Sequence, residues 1–325
     1  MKSEEKILSF LQTKEMSTVE EIAKNVGFSR QYIHRLLDRL IDKALVEKNG
    51  KIPHVYYRIC DSKKNTENPK ITLEKERFLF EHFLLVQAMG NMLQGVEAMQ
   101  YWCAIQQLDF NKTTAEYIET RKKYLSYFNK EGFIDGLQKL QNTSGMKEIG
   151  VDYLYYMDFY AIERFGKTHL GTLMHYAKQG QNKSLMKIIV SEIKYRIANF
   201  INENQIDAIV FVPPTIKRHL QIMDFFEKNI GIDLPKITVK KIKNNIIIPQ
   251  KALSKLAERI ENAKKTFYVG ENKSYRKILI LDDAVGSGAT INEIALKIKT
   301  AGIASEIYGL AITGSYKGFD VISEI

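Results

Sequence analysis

The stretch "KILILDDAVGSGATINEIALKIKTAGI", residues 277–303, decides how this chain is read. Residues 278–281 are an unbroken apolar run, the pattern of a strand covered on both faces. Two adjacent acids follow, Asp282 and Asp283, and then a loop of small residues. Beyond the loop, Ile291, Ile294, Ala295 and Ile298 share one face of an amphipathic helix. A loop between the carboxyl end of a parallel strand and a helix N-terminus is where open α/β sheets bind ligands. Gly286 and Gly288 permit close backbone approach and positive φ. The N–H groups of Ser287, Gly288, Ala289 and Thr290, two hydroxyls and the helix dipole then make an anion cradle.

Three phosphate-binding patterns compete for this stretch. A P-loop needs a lysine that is missing here. A dinucleotide fingerprint needs a third glycine, but Ile291 stands in its place, and the acids precede the loop instead of following it. The third pattern puts two acids directly before the loop. Carboxylates there can accept hydrogen bonds from vicinal ribose hydroxyls while the loop holds a 5′-phosphate, which fits a phosphorylated ribose.

With these residues in place, the stretch resembles the type I phosphoribosyltransferases and their binding site for phosphoribosyl pyrophosphate (PRPP). Asp282 and Asp283 match the acids, and Ser287, Gly288 and Thr290 match the loop. Ala284 replaces a usual larger aliphatic, and Gly286 replaces a usual hydroxyl or small residue, so one phosphate contact is reduced to a backbone N–H. "VPPTIKRH", residues 212–219, resembles the family's pyrophosphate loop, with Pro214, Thr215, Lys217 and Arg218 as its candidates. "PQKALSKLAERIENAKKTF", with Gln250, Leu253, Arg259, Asn262 and Phe267, is similar to the segment before the PRPP loop in ComF-type proteins. "HYAKQGQNKSL", residues 175–185, is similar to their lysine-plus-glycine segment. Those relatives often carry a four-cysteine zinc ribbon; this chain has two cysteines, Cys60 and Cys103, and no metal-ligand spacing. The resemblance implies an α/β phosphoribosyltransferase-like domain with a mostly parallel sheet over residues 151–325. It also implies bound PRPP with Mg2+ bridging its oxygens. Residues 151–205 read as helical before a strand at 208–212, and "LPKITVKKI" and "EIYGLAIT" supply further strands.

The N-terminal residues 1–60 read as three helices and a hairpin. Ser17 with Glu20 makes a capping box for the second helix, Gly27 stops it, and Ser29 caps the third. The third helix buries Ile33, Leu36, Leu37, Leu40 and Ile41. Its opposite face shows Ser29, Arg30, Gln31, His34, Arg35 and Arg39, side chains that can read base edges in a major groove. Asn49 and Gly50 signal the hairpin turn, and Lys43, Lys48 and Lys51 are candidate phosphate contacts. The region resembles bacterial winged-helix regulators and implies double-stranded DNA as a partner.

Residues 61–70 are a polar linker, and 71–150 read as a helical connector and candidate homodimer face without chemistry of its own. A net charge of +10 suits polyanionic partners, and no apolar run approaches a membrane span, so a cytoplasmic protein is expected. A winged helix joined to a transferase-like domain is similar in plan to the purine-operon repressors. Two readings follow: a DNA-binding transcriptional regulator sensing PRPP or a related phosphoribosyl ligand, or an active phosphoribosyltransferase whose winged helix serves localisation or autoregulation.

Overall fold

The computed structural model describes residues 3–14, 16–42, 45–51, 53–59, 71–88, 90–143, 146, 148–214, 216, 218–241 and 267–315. Lys43, Cys60, the 61–70 linker, Thr215, Lys217, Gln250, Leu253, Arg259 and Asn262 lie outside the described residues. The chain forms two compact units, Met1–Lys70 with Ala88–Asn91, and Ile71–Gln87 with Met92–Ile325.

The first unit contains α1 (Ser3–Gln12), α2 (Val19–Val26), α3 (Arg30–Asp42), β1 (Val46–Lys51) and β2 (His54–Ile59). Ile7, Leu11, Ile22, Ile33, Leu37 and Tyr57 centre its core, so the helical periodicity read from the sequence marks the packing face. The capping box falls one residue later than expected. Thr18 accepts from the Glu21 N–H at 3.3 Å, and the Glu21 carboxylate accepts from the Thr18 N–H at 2.9 Å. Ser17 instead exchanges both backbone bonds with Tyr57, which holds it in a bridge and passes the cap to its neighbour. Gly27 ends α2 at φ +73°, as expected.

The hairpin is present, but Asn49 and Gly50 are not its turn. They lie inside β1, opposite Tyr56 and Val55, and the ladder closes with Lys51 opposite His54. A turn at Asn49 and Gly50 would have placed Pro53, which has no N–H, opposite Val46 in the ladder. Burial of Val46 and Tyr57 selects the observed register.

The second unit starts with α4 (Leu73–His82), β3 (Leu84–Val86), β4 (Met92–Gln94), α5 (Gly95–Gln106), α6 (Phe110–Leu125), β5 (Ile134–Asp135) and α7 (Leu137–Gln141). The helical reading of this region is corrected at β3 and β4, an antiparallel hairpin. Phe83, in extended backbone at the end of α4, and Leu84, the first residue of β3, enter different cores, as the alternation of side chains along an extended chain allows. Then come β6 (Tyr153–Phe159), α8 (His169–Gln179), α9 (Lys183–Asn204), β7 (Ala208–Phe211), α10 (Ile222–Asn229), β8 (Val239–Lys241), β9 (Phe267–Val269), β10 (Tyr275–Val285), α11 (Ala289–Thr300) and β11 (Ala304–Gly314).

The main sheet has the order β5-β6-β11-β10-β7, with β5 antiparallel at one edge and the other four strands parallel. Along β10, Ile278 and Ile280 enter one core while Leu279 and Leu281 enter the other. The first core is shared with α4, α5, α6 and α11, the second with α8, α9 and α10. Residues 71–87 and 92–143 belong to the same compact unit as the sheet, and α4, α5 and α6 share its first core.

Three strand expectations change. β6 replaces a helical reading; both its faces are covered, Leu154 and Tyr156 in one core and Met157 in the other, so no alternation shows. The "LPKITVKKI" strand leaves the main sheet after one bridge from Lys236 to Ile209 and pairs as β8 with β9. β10 does not end before the acids but runs through Asp282 and Asp283 to Val285, because β11 extends equally far and supplies a ladder partner.

Candidate functional site

The carboxyl ends of β10 and β11 define the site. Asp283 is 8% exposed, and its carboxylate is ion-paired with the Lys178 ammonium from the last turn of α8. Asp282 is half-buried and accepts a hydrogen bond from the Asp283 N–H at 2.7 Å. Beside them, the Thr313 hydroxyl donates to the Asp283 carbonyl at 3.4 Å. Gln179, next to Lys178, accepts from the Arg218 guanidinium at 3.1 Å, and the Gln181 side-chain amide oxygen accepts from the Leu220 N–H at 2.9 Å. Three segments singled out in the sequence thus meet at one edge: the acids, the lysine-plus-glycine segment and the loop after β7.

The glycine loop follows without interruption. Gly288 has φ +76° and caps α11, a backbone shape that favours glycine. Space demands glycine as well, since a Cβ there would lie 2.6 Å from the Leu140 Cδ1 of α7. Ala284, Gly286, Ser287 and Thr290 are partly exposed, whereas Gly288 and Ala289, expected in the cradle, are buried. The Ser287 hydroxyl accepts from the Ala289 N–H at 3.4 Å. Among the described residues, the N–H groups of Gly286, Ser287, Gly288 and Thr290 meet no protein acceptor. Gly286, Ser287 and Thr290 are the partly exposed members of this set, and N–H groups without acceptors at a helix N-terminus can bind an anion.

Lys139 was missed in the sequence. It lies on the five-residue helix α7, and its ammonium donates to the Ser315 carbonyl just past β11. Pro214 is exposed beyond β7. A cavity of about 700 Å3 runs along α11, lined by Tyr268, Asn292, Glu293 and Leu296 among others. Neither Asp282 nor Asp283 lines it, although Ala289 at the start of α11 does.

In the first unit, Ser29, Arg30, Gln31, His34, Arg35 and Arg39 are all exposed, as a groove-reading face requires. Ser29 accepts from the Tyr32 N–H at 3.3 Å and so acts as a helix cap. Arg30 is ion-paired with Glu20, while the Arg35 guanidinium lies 5.8 Å from the Tyr32 ring centroid. Lys48 is exposed on β1, and Lys51 is its last residue.

Three short helices and a two-stranded wing, with the third helix presenting arginine and glutamine outward, make residues 3–59 a winged helix-turn-helix. Residues 1–61 match the family model described as "Sugar-specific transcriptional regulator TrmB", which supports a DNA-binding transcriptional regulator. The match covers 61 of 325 residues and none of the α/β region. A comparison with curated proteins finds no match. No helix among the described residues is long and apolar enough to cross a membrane.

Proposed function

We propose that the chain is a transcriptional regulator that binds double-stranded DNA through α3 and the wing, and senses PRPP or a related phosphoribosyl ligand at the carboxyl edge of its parallel sheet. One observation carries the ligand half: Lys178 on Asp283 and Arg218 on Gln179 gather two cations, two acids and the glycine loop at one sheet edge. Loop N–H groups would take the 5′-phosphate, Asp282 and Asp283 the ribose hydroxyls, and Arg218 with Lys178 the pyrophosphate. Asp283 exchanges its ammonium partner for hydroxyl donors in this scheme, which leaves Lys178 for the anion.

Magnesium belongs to the same proposal. Among the described residues no three His, Cys, Asp or Glu side chains cluster as a metal cage. The ion would be held chiefly by ligand oxygens and one carboxylate, the usual habit of magnesium with phosphates. It would neutralise pyrophosphate charge. The homodimer is proposed as well: α4 and α5 leave Leu73, Phe80 and Ile105 exposed, apolar surface that a second copy would cover.

Calorimetric titration with PRPP and magnesium tests the ligand half. The wild-type chain is expected to bind, and Asp282→Asn/Asp283→Asn to lose binding by about a hundredfold or more, two charge-assisted contacts being removed. Unchanged affinity in that variant would remove the acids from the site. Pyrophosphate release from PRPP, assayed across a panel of nucleobases, separates sensing from turnover; base-dependent release would make the protein an enzyme.

A further inference from the structure

We infer that Lys139, from the helical region that precedes the parallel strands, is a phosphate-binding residue of this site, closing the 286–290 loop over the 5′-phosphate of the phosphoribosyl ligand. The inference rests on the reading above and names a residue that no sequence motif pointed to.

Position is the first argument. The Lys139 ammonium donates to the Ser315 carbonyl, and the Ser315 N–H donates to the Val285 carbonyl at 3.1 Å. The charge therefore stands beside the residue that opens the loop. Its neighbour Leu140 lies on Gly288, where a Cβ would come within 2.6 Å of Cδ1. α7 thus touches Gly288 through Leu140 and the end of β11 through Lys139, although Lys139 and Ser315 are 176 residues apart in the chain.

Charge balance is the second. An ammonium has three donors, and among the described residues Lys139 uses one, on a neutral carbonyl. No ion pair among the described residues includes it, whereas Lys178 already holds Asp283. Burial draws the Lys139 ammonium down to about 8, with no carboxylate acting against that pull. It also stands near the positive end of α11, an unfavourable place for a cation. A tether for α7 would need only a neutral donor. A phosphate between the ammonium and the loop N–H groups would satisfy both at once.

The test uses the full chain and two separate probes, ribose 5-phosphate and magnesium pyrophosphate, titrated calorimetrically. Lys139→Gln keeps a donor for the Ser315 carbonyl and removes the charge. It is expected to weaken ribose 5-phosphate binding by about tenfold or more, the worth of one charge-assisted hydrogen bond. Magnesium pyrophosphate affinity should stay within about twofold, since that probe sits at the Arg218 end, and Lys139→Arg should restore most of the lost ribose 5-phosphate affinity. Wild-type-like ribose 5-phosphate binding in Lys139→Gln would overturn the assignment and leave the phosphoribosyl reading standing. Equal loss of both probes, without rescue by arginine, would overturn it in favour of a structural role. If the wild-type chain binds neither probe, the phosphoribosyl reading itself falls, and this inference with it.

Discussion

Arg121 and Asp158 show how a buried charge is tolerated here. The guanidinium makes two bonds of 2.8 Å to the carboxylate, and both side chains are almost wholly covered. Asp158 also accepts from the Phe159 N–H at 2.8 Å, so its oxygens are well supplied. Arg121→Met would leave the carboxylate buried with that single donor, and is expected to destabilise the second unit by about 3–5 kcal/mol in chemical denaturation. Adding Asp158→Leu should recover much of the loss, because the pair's desolvation cost disappears with it. A single variant within about 1 kcal/mol of wild type would mean that water reaches this pair. At this scale the site was partly legible. Asp282, Asp283 and the glycines carried their signal in consecutive residues, and the structure keeps them together at the sheet edge. Lys139 carried no local signal, since nothing near it in sequence marks a ligand.

Among the elements, α3 has the clearest task. Its apolar stripe is buried, and its exposed Gln31 and Arg35 are free of the ion pair that holds Arg30 to Glu20. Gln31→Ala and Arg35→Ala are each expected to cost about 1–3 kcal/mol on a duplex selected from random sequence, and to relax base choice at one position. Lys48→Ala should weaken all duplexes alike and lower the salt slope by about one. Fluorescence anisotropy over a salt series reads both effects; equal affinity of the α3 variants for selected and random duplex, matching wild type, would remove α3 from base reading. Elements with one exposed face were predicted well because periodicity reports burial directly. β6 and the β3–β4 hairpin were not, since covered strands lose their alternation and short apolar runs fit helix and strand equally. The one-residue error at the α2 cap has a similar origin: Ser17 and Thr18 are chemically equivalent caps, and only the bridge to Tyr57 separates them.

For the whole molecule, regulation requires that ligand and DNA influence one another. A sensor's ligand must bind two states with different affinity, and the coupling in such systems is about 1–3 kcal/mol. Saturating PRPP with magnesium is therefore expected to change DNA affinity by about 5–150-fold in either direction, measured by anisotropy at fixed salt. Linkage requires DNA to change PRPP affinity by the same factor. A DNA affinity indifferent to PRPP in a protein that binds both would sink the sensor reading and favour the enzyme.

Local chemistry was enough to establish a winged helix with an arginine-bearing third helix, a parallel-sheet α/β region and an acid pair before a glycine loop. These are properties of neighbouring residues: helical period, caps, apolar runs, backbone freedom. The fold alone decided that α4–α7 join the same body as the sheet, that Lys178 sits on Asp283, and that Lys139 reaches the end of β11. The last two contacts join residues 105 and 176 positions apart. Such partners are chosen by how layers stack and chain ends meet, and no short window of sequence contains that information.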